Sequence, residues 1–452
     1  MIRFSLKSFA TATATLATCL TLIVPAASAG IENVEEVTSD GGITAWLVTE
    51  PSIPFTALEI RFRGGTSLDP EGKPGAINLM TALLEEGAGE RSAQEFAAAR
   101  EGLAASYAFD VGRDTLSVSA RFLTENRDEA VDLLRSALIE PRFDQEALDR
   151  VRGQVLSIIA SNATDPGEIN SRAFNEAAFP DHPYALPVDG TVESVTALTR
   201  DDMLAVKDRV MARDRIYVSA VGDMTAAELG PLLDRLLGDL PETGAPLPEH
   251  VDYALPGGVD VVEFDTPQSV VSFAQPGITR DDPDFIPAYI MMEIFSGGGF
   301  SSRLMEEVRE KRGLTYGIGA SLYPMDNAEL IIGSVSSAND KVAETIEVIK
   351  SAYKLLFRER QRVEVVHDHF EDALGGVLPI ELTELLGFIN SQQQGHMGRA
   401  RDPLSETAAP SRANSLASST PILPAPPDMI ATLSSRRMTS SLSLFLTPVL
   451  ID

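Results

Sequence analysis

Cysteine is almost absent: the 452 residues contain one, Cys19, close to the N-terminus. Disulfides are therefore excluded, as are the multi-thiolate zinc and iron–sulfur sites that need several cysteines. Histidine is also scarce, with His182, His250, His367, His369 and His396 making up the whole set. Any metal would have to be held by these few imidazoles and by carboxylates. Bases are outnumbered, 37 Lys and Arg against 66 Asp and Glu, a net charge of −29. That balance argues against nucleic acid and anionic membrane surfaces as partners. It fits a soluble protein in a salty or periplasmic setting, or a preference for cationic peptides.

Long apolar runs are missing except at the start. There Arg3 and Lys7 precede an apolar stretch through Val24, and Ala27-Ser28-Ala29 has the small residues of a signal-peptidase site. The run is interrupted by threonines and falls short of the roughly 20 residues a spanning helix needs. Cleavage after Ala29 and a soluble periplasmic or secreted protein are expected. Cys19 would leave with the leader, and losing Arg3 and Lys7 with no acid would move the net charge to −31.

The remaining pattern is α+β. Strands are expected at 43–49 and 55–63, a helix from Gly75 to Glu86 and another at 93–103. Strands at 105–110 and 115–122 and a helix at 127–137 follow. Residues 215–221 read as the closing strand of this half. The order then recurs: strands at 259–264 and 270–275, helices at 283–295 and 302–311, strands at 315–324 and 329–336, and a helix from Asp340 to about Phe357. Arg100 stands seven residues before Tyr107, and Arg309 seven before Tyr316, at the same point of the cycle. The expectation is two duplicated domains, each a mixed or antiparallel sheet with helices on one face. The boundaries are a signal peptide at 1–29, a first domain at 30–239, a Pro/Gly-rich linker at 240–257 and a second domain at 258–357.

Residues 358–452 break the plan. They hold eight Arg and no Lys, and from Asp402 they turn rich in Ser, Pro and Ala without a sustained period. Two explanations stand, a natural disordered extension and a reading-frame shift near 357–360, and the second is favoured. Either leaves the second domain incomplete.

The stretch from Gly298 through Arg309 to Tyr316, with Phe179-Pro-Asp-His-Pro-Tyr184 and Gly190-Thr-Val-Glu-Ser-Val195, resembles the pitrilysin or insulinase-like family of zinc peptidases over residues 34–357. Active members of that family carry His-x-x-Glu-His on their first long helix and a carboxylate ligand on a later one. Two His at i and i+4 share a helix face, the Glu polarises the bound water, and the third ligand leaves one position open. Aligned on Gly75-Ala76, this chain has Asn78 and Ala82 at the ligand positions, Thr81 at the base position and Ser157 near the third ligand. None can do its counterpart's work. Glu85 and Glu86 read as a solvated helix end. His367 and His369 have the spacing of a strand chelate but lie in the anomalous tail.

By residue type alone Arg309 would be a solvated helix residue and Tyr316 a core aromatic. The resemblance implies that they grip the backbone of a bound peptide at the other domain's active site, with the guanidinium fork and the phenol as donors. Gly297, Gly298 and Gly299 permit positive φ and close approach. They read equally as a substrate-touching loop and as a tight turn between helices. The resemblance thus implies a non-catalytic, substrate-binding subunit that pairs with a homologous catalytic chain holding the zinc, itself carrying no cofactor. The alternatives are a stand-alone peptide-binding scaffold and a peptidase acting through unrecognised ligands.

Overall fold

The computed structural model describes residues 34–255, 257–297, 299–354 and 449–450. They form an α+β chain with two separate hydrophobic cores. One compact unit takes in the chain through Ala254 together with Met325–Asn327, and the other starts at Leu255.

In the first unit six strands form one mixed sheet: β1 (Val34–Thr38), β2 (Thr44–Thr49), β3 (Phe55–Arg63), β4 (Ser106–Val111), β5 (Thr115–Leu123) and β6 (Ile216–Gly222). Their spatial order is β1-β2-β6-β3-β5-β4. The strand expected to close the domain lies in the middle of its sheet, parallel to β2 and antiparallel to β3. β3 shows why one face is covered. Thr56, Leu58, Ile60 and Phe62 are buried, while Glu59, Arg61 and Arg63 alternate with them on a half-exposed face where Arg61 pairs with Glu59 at 3.2 Å. Period-2 alternation of this kind buries one side of a sheet and leaves the other polar.

The helices of this unit are α1 (Ala76–Ala82), α2 (Ala93–Gly102), α3 (Arg127–Ile139), α4 (Gln145–Asn162), α5 (Pro166–Ala178), α6 (Val192–Ala197), α7 (Arg200–Val210) and α8 (Ala226–Leu237). Side-chain caps fix several starts. Ser92 with Glu95, Thr199 with Asp202 and Thr225 with Glu228 form reciprocal capping boxes. The segment expected to be a linker is partly fastened to this unit: Leu240 and Ala245 are buried, and the Ala245 N–H donates to Arg209 O at 2.9 Å.

The second unit repeats the central pattern. β7 (Gln268–Pro276), β8 (Ile318–Pro324) and β9 (Glu329–Ala338) lie antiparallel in the order β7-β9-β8, as β3, β5 and β4 do in the first. Helix α9 (Phe285–Ser296) and a π-helical turn (Met305–Glu310) connect β7 to β8, and a helix runs through residues 342–354 after β9. The strand expected at 259–264 is only Asp260–Val261, paired in parallel with Val449–Leu450. The rest of the tail, with His367, His369 and His396, lies outside the described residues. Among the described residues no helix is long and apolar enough to cross a membrane.

Candidate functional site

The first candidate region is α1. Gly75 precedes it in the left-handed region at φ 85°, and a Cβ there would stand 2.6 Å from Asp189 O, so only glycine fits. Gly75 has no side chain to cap the helix. Asp69 substitutes, accepting from Gly75 N at 2.7 Å and Ile77 N at 2.8 Å. Burial pushes this carboxyl up to about 7, against the N–H donors and Arg209, which hold it down. Ile77, Leu79 and Met80 are fully buried, as are Leu83 and Leu84 just beyond, so the apolar stripe is intact and packs the helix against α4, α7 and β4.

The helix stops at Ala82, earlier than the sequence suggested. Residues 83–86 form a turn into Gly87, whose φ of 107° requires glycine. Glu85 and Glu86 are therefore off the helix and not a solvated helix end. Glu85 pairs with Arg100, and Glu86 receives both terminal nitrogens of Arg150 at 2.9 and 2.7 Å.

The positions of the zinc site are bonded elsewhere or inert. Asn78 Nδ2 donates to Asp189 Oδ1 at 3.3 Å. Thr81, buried, donates its hydroxyl to Ile77 O one turn back at 2.8 Å. Ala82 offers a methyl to solvent. Ser157, on the exposed side of α4, donates to Gly153 O at 2.8 Å. An amide, a methyl and two hydroxyls committed to helix carbonyls do not fit a zinc ion, which takes His, thiolate or carboxylate donors. Among the described residues no group of three or more His, Cys, Asp or Glu is placed to hold a metal. His182 instead packs edge-on to Tyr184, ring centroids 4.4 Å apart, and its Nδ1 accepts from Tyr184 N at 3.2 Å. Burial holds its imidazole below the usual range.

The second region belongs to the other unit. Arg309 sits in the π-helical turn with its guanidinium carbon 4.3 Å from the centre of the Phe300 ring, and its Nε is 3.4 Å from Glu310. Tyr316 is 89% exposed, so it is not a core aromatic. Its counterpart in the repeat behaves differently. Tyr107 is buried and donates to Ala130 O at 2.6 Å, while Arg100 is tied to Glu85. The same spacing therefore buries the aromatic in one unit and leaves it open to solvent in the other, while both arginines are half-buried.

Gly297 and Gly299 do not use positive φ, and Gly298 lies outside the described residues. Gly297 is demanded by space: a Cβ there would meet Glu293 O at 2.4 Å. The loop is the turn that ends α9, and it presents Phe300, 67% exposed, to Arg309.

Sequence reasoning missed Asp189, Asn162 and the stacking role of Phe300. Asp189 had a faint signal, an acid directly before the glycine of the Gly190-to-Val195 motif. Phe300 had another, an aromatic closing a glycine-rich turn.

The chain matches known proteins in both halves. The family model described as Insulinase (Peptidase family M16) matches residues 45–192, and that described as Peptidase M16 inactive domain matches residues 197–365. The non-peptidase homolog YmxG of Helicobacter pylori is 30% identical over 267 residues, covering 59% of this chain and 62% of that protein. An uncharacterized zinc protease of Streptomyces coelicolor is 28% identical over 300 residues, 64% of each chain. The match thus spans less than two thirds of either relative. The crystal structure of a peptidase M16 inactive domain from Pseudomonas fluorescens superposes with a TM-score of 0.69 at 26% identity, covering 81% of this chain and 87% of that one. Two adjoining matches to one family, the duplicated fold and the shared architecture agree: the chain belongs to peptidase family M16, with the residues of the metal face replaced.

Proposed function

We propose that this chain is the substrate-binding subunit of an exported heterodimeric zinc metallopeptidase. A homologous partner supplies the His-x-x-Glu-His helix and the zinc, and the pair closes on a peptide. The observation that carries the reading is the contrast within one chain: every metal position on and near α1 is spent on other bonds or inert, while Tyr316 is open to solvent and Arg309, half-buried, is stacked on the exposed Phe300 ring. A guanidinium and a phenol have the donors to hold peptide carbonyls. Localisation in the periplasm, after cleavage near Ala29, belongs to the same proposal, as does the division into domains at 30–239 and 258–357.

The test is co-expression with a homologous chain that bears the intact zinc motif, followed by a peptidase assay of each chain alone and of the mixture. Activity confined to the mixture, and reduced by Arg309→Ala or Tyr316→Phe, is expected. Stoichiometric zinc and peptidase activity in the isolated chain would sink the reading. A mixture no more active than the partner alone would instead leave a stand-alone peptide-binding scaffold.

A further inference from the structure

In an active member of this family the ion is a bridge as well as a Lewis acid, because its ligands come from two helices and it ties them together. This chain has both helices, and the residues at its metal positions do not fit the ion. Beyond their direct packing, a side chain from neither helix joins them. Asp189 stands in the loop between α5 and α6, and its two carboxylate oxygens take different partners. Oδ1 accepts from Asn78 of α1 at 3.3 Å, and Oδ2 accepts from Asn162, the last residue of α4, at 3.1 Å. Asn78 is one of the positions where an active enzyme has its first histidine, so the bridge starts from the metal's own place on α1.

The loop carrying Asp189 is itself fixed against the entrance to α1. Gly190 has φ 80°, and a Cβ on it would lie 2.3 Å from Pro74 O. Ser194 donates its hydroxyl to the same Pro74 carbonyl at 2.8 Å, and a Cβ on Gly75 would lie 2.6 Å from Asp189 O. Two glycines without room for a side chain thus hold the backbones of residues 74–75 and 189–190 in contact. The carboxylate is delivered to a set place, with little ordering left to do when its hydrogen bonds form.

We propose that Asp189 is a structural substitute for the metal bridge, a carboxylate clamp that joins α1 to α4 through Asn78 and Asn162. A carboxylate suits the task because it accepts two hydrogen bonds from donors on different elements, and charge-assisted bonds are about twice as strong as neutral ones. The clamp explains how the metal face could be lost while its helix stayed in register. It also closes that face, since the Asn78 amide is turned to Asp189 and not to a ligand.

The experiment is a set of thermal unfolding midpoints on the full chain for Asn78→Ala, Asn162→Ala, Asp189→Asn and the pairwise combinations, with Ser157→Ala as the control on α4. Each asparagine substitution alone is expected to lower the midpoint by about 2–4 °C, in line with about 1 kcal/mol in a unit of this size. In the Asp189→Asn background, which keeps the volume and removes the charge, the same substitutions should move it by less than half as much. Ser157→Ala should leave it unchanged. Asparagine costs that stay undiminished in the Asp189→Asn background would overturn the clamp, because an aspartate that merely shaped its loop would leave them whole. A second readout needs no unfolding: the side-chain amide proton signals of Asn78 and Asn162 should both shift on Asp189→Asn. A shift at one amide only would equally overturn the bridge.

Discussion

Phe300→Ala is the substitution that separates the presentation of Arg309 from its mere presence. The ring lies 4.3 Å from the guanidinium carbon, and the other contact at this group is a 3.4 Å approach to Glu310, its neighbour in sequence. An exposed cation–π contact contributes about 0.5–1 kcal/mol, and re-ordering a freed long side chain on binding costs about 0.5–1.5 kcal/mol more. Together these come to about 1–2.5 kcal/mol, or about 5–70-fold in the binding of whatever Arg309 holds. The assay is kcat/KM on a peptide substrate of the mixture with the proposed catalytic partner. Phe300→Ala should lose that factor, Phe300→Tyr should retain nearly full activity, and Phe300→Leu should behave like Ala because an aliphatic side chain lacks the quadrupole. Adding Phe300→Ala to Arg309→Ala should cost little further, since the two act as one unit. The reasoning is refuted if Phe300→Ala matches the wild type while Arg309→Ala does not, or if the two losses multiply.

The remaining predictions concern the scaffold. Met80→Ala, at a fully buried position of α1, should destabilise the first unit by about 2–5 kcal/mol in chemical denaturation, whereas Ala82→Ser, one turn-edge away on the exposed side, should stay within about 0.5 kcal/mol. Bonds from the Thr225 backbone and hydroxyl, with Arg127 behind them, lower Glu228 to about 2. A lowered folded value gives stability that is present above about pH 4.5 and lost as the pH falls towards 2. Glu228→Gln should remove that acid-side slope in unfolding curves taken between pH 5 and 2. Asp69 has the opposite sign. Its folded value is raised to about 7, so its contribution is full below about pH 4 and is lost as the pH climbs to 7. Asp69→Asn should flatten that decline, and a wild-type stability that rises over this window and depends on Asp69 would show that the N–H donors outweigh burial.

Most of the scaffold was readable because its signals are local. β3 was legible to the residue, since alternation over Phe55–Arg63 is a period-2 pattern bounded by turn formers. The apolar stripe of α1 was equally plain, but its end was not. Glu85 and Glu86 are good helix formers, and only tertiary pairing with Arg100 and Arg150, together with Gly87 at positive φ, draws them into a turn. The helix expected at 302–311 became a π-helical turn, in which Lys311 N reaches back five residues to Glu306 O, and nothing in a hydrophobic period distinguishes the two. At the site, the absences were legible as residue types, and so was the Arg309–Tyr316 spacing. What fills the absences was not, because Asp189 meets Asn78 from 111 positions away. The exposure of Tyr316 ran against its residue type, which reads as a core aromatic, and only the resemblance implied it.

The placement of β6 also has a consequence for biosynthesis. β2 and β3 are neighbours in the chain but not in space, and the strand that separates them is made some 160 residues later. Until Ile216–Gly222 has emerged, the facing edges of β2 and β3 have no strand between them, and the three-strand piece β3-β5-β4 is cut off from the β1–β2 hairpin. An N-terminal fragment ending before Arg215 should therefore hold two unjoined pieces of sheet, with unpaired edges open to wrong partners. Loop closure over that distance makes the step late and slow. In this chain, completion of the first unit waits on its own last strand, so the nascent chain cannot close this sheet until nearly half of the protein has been made.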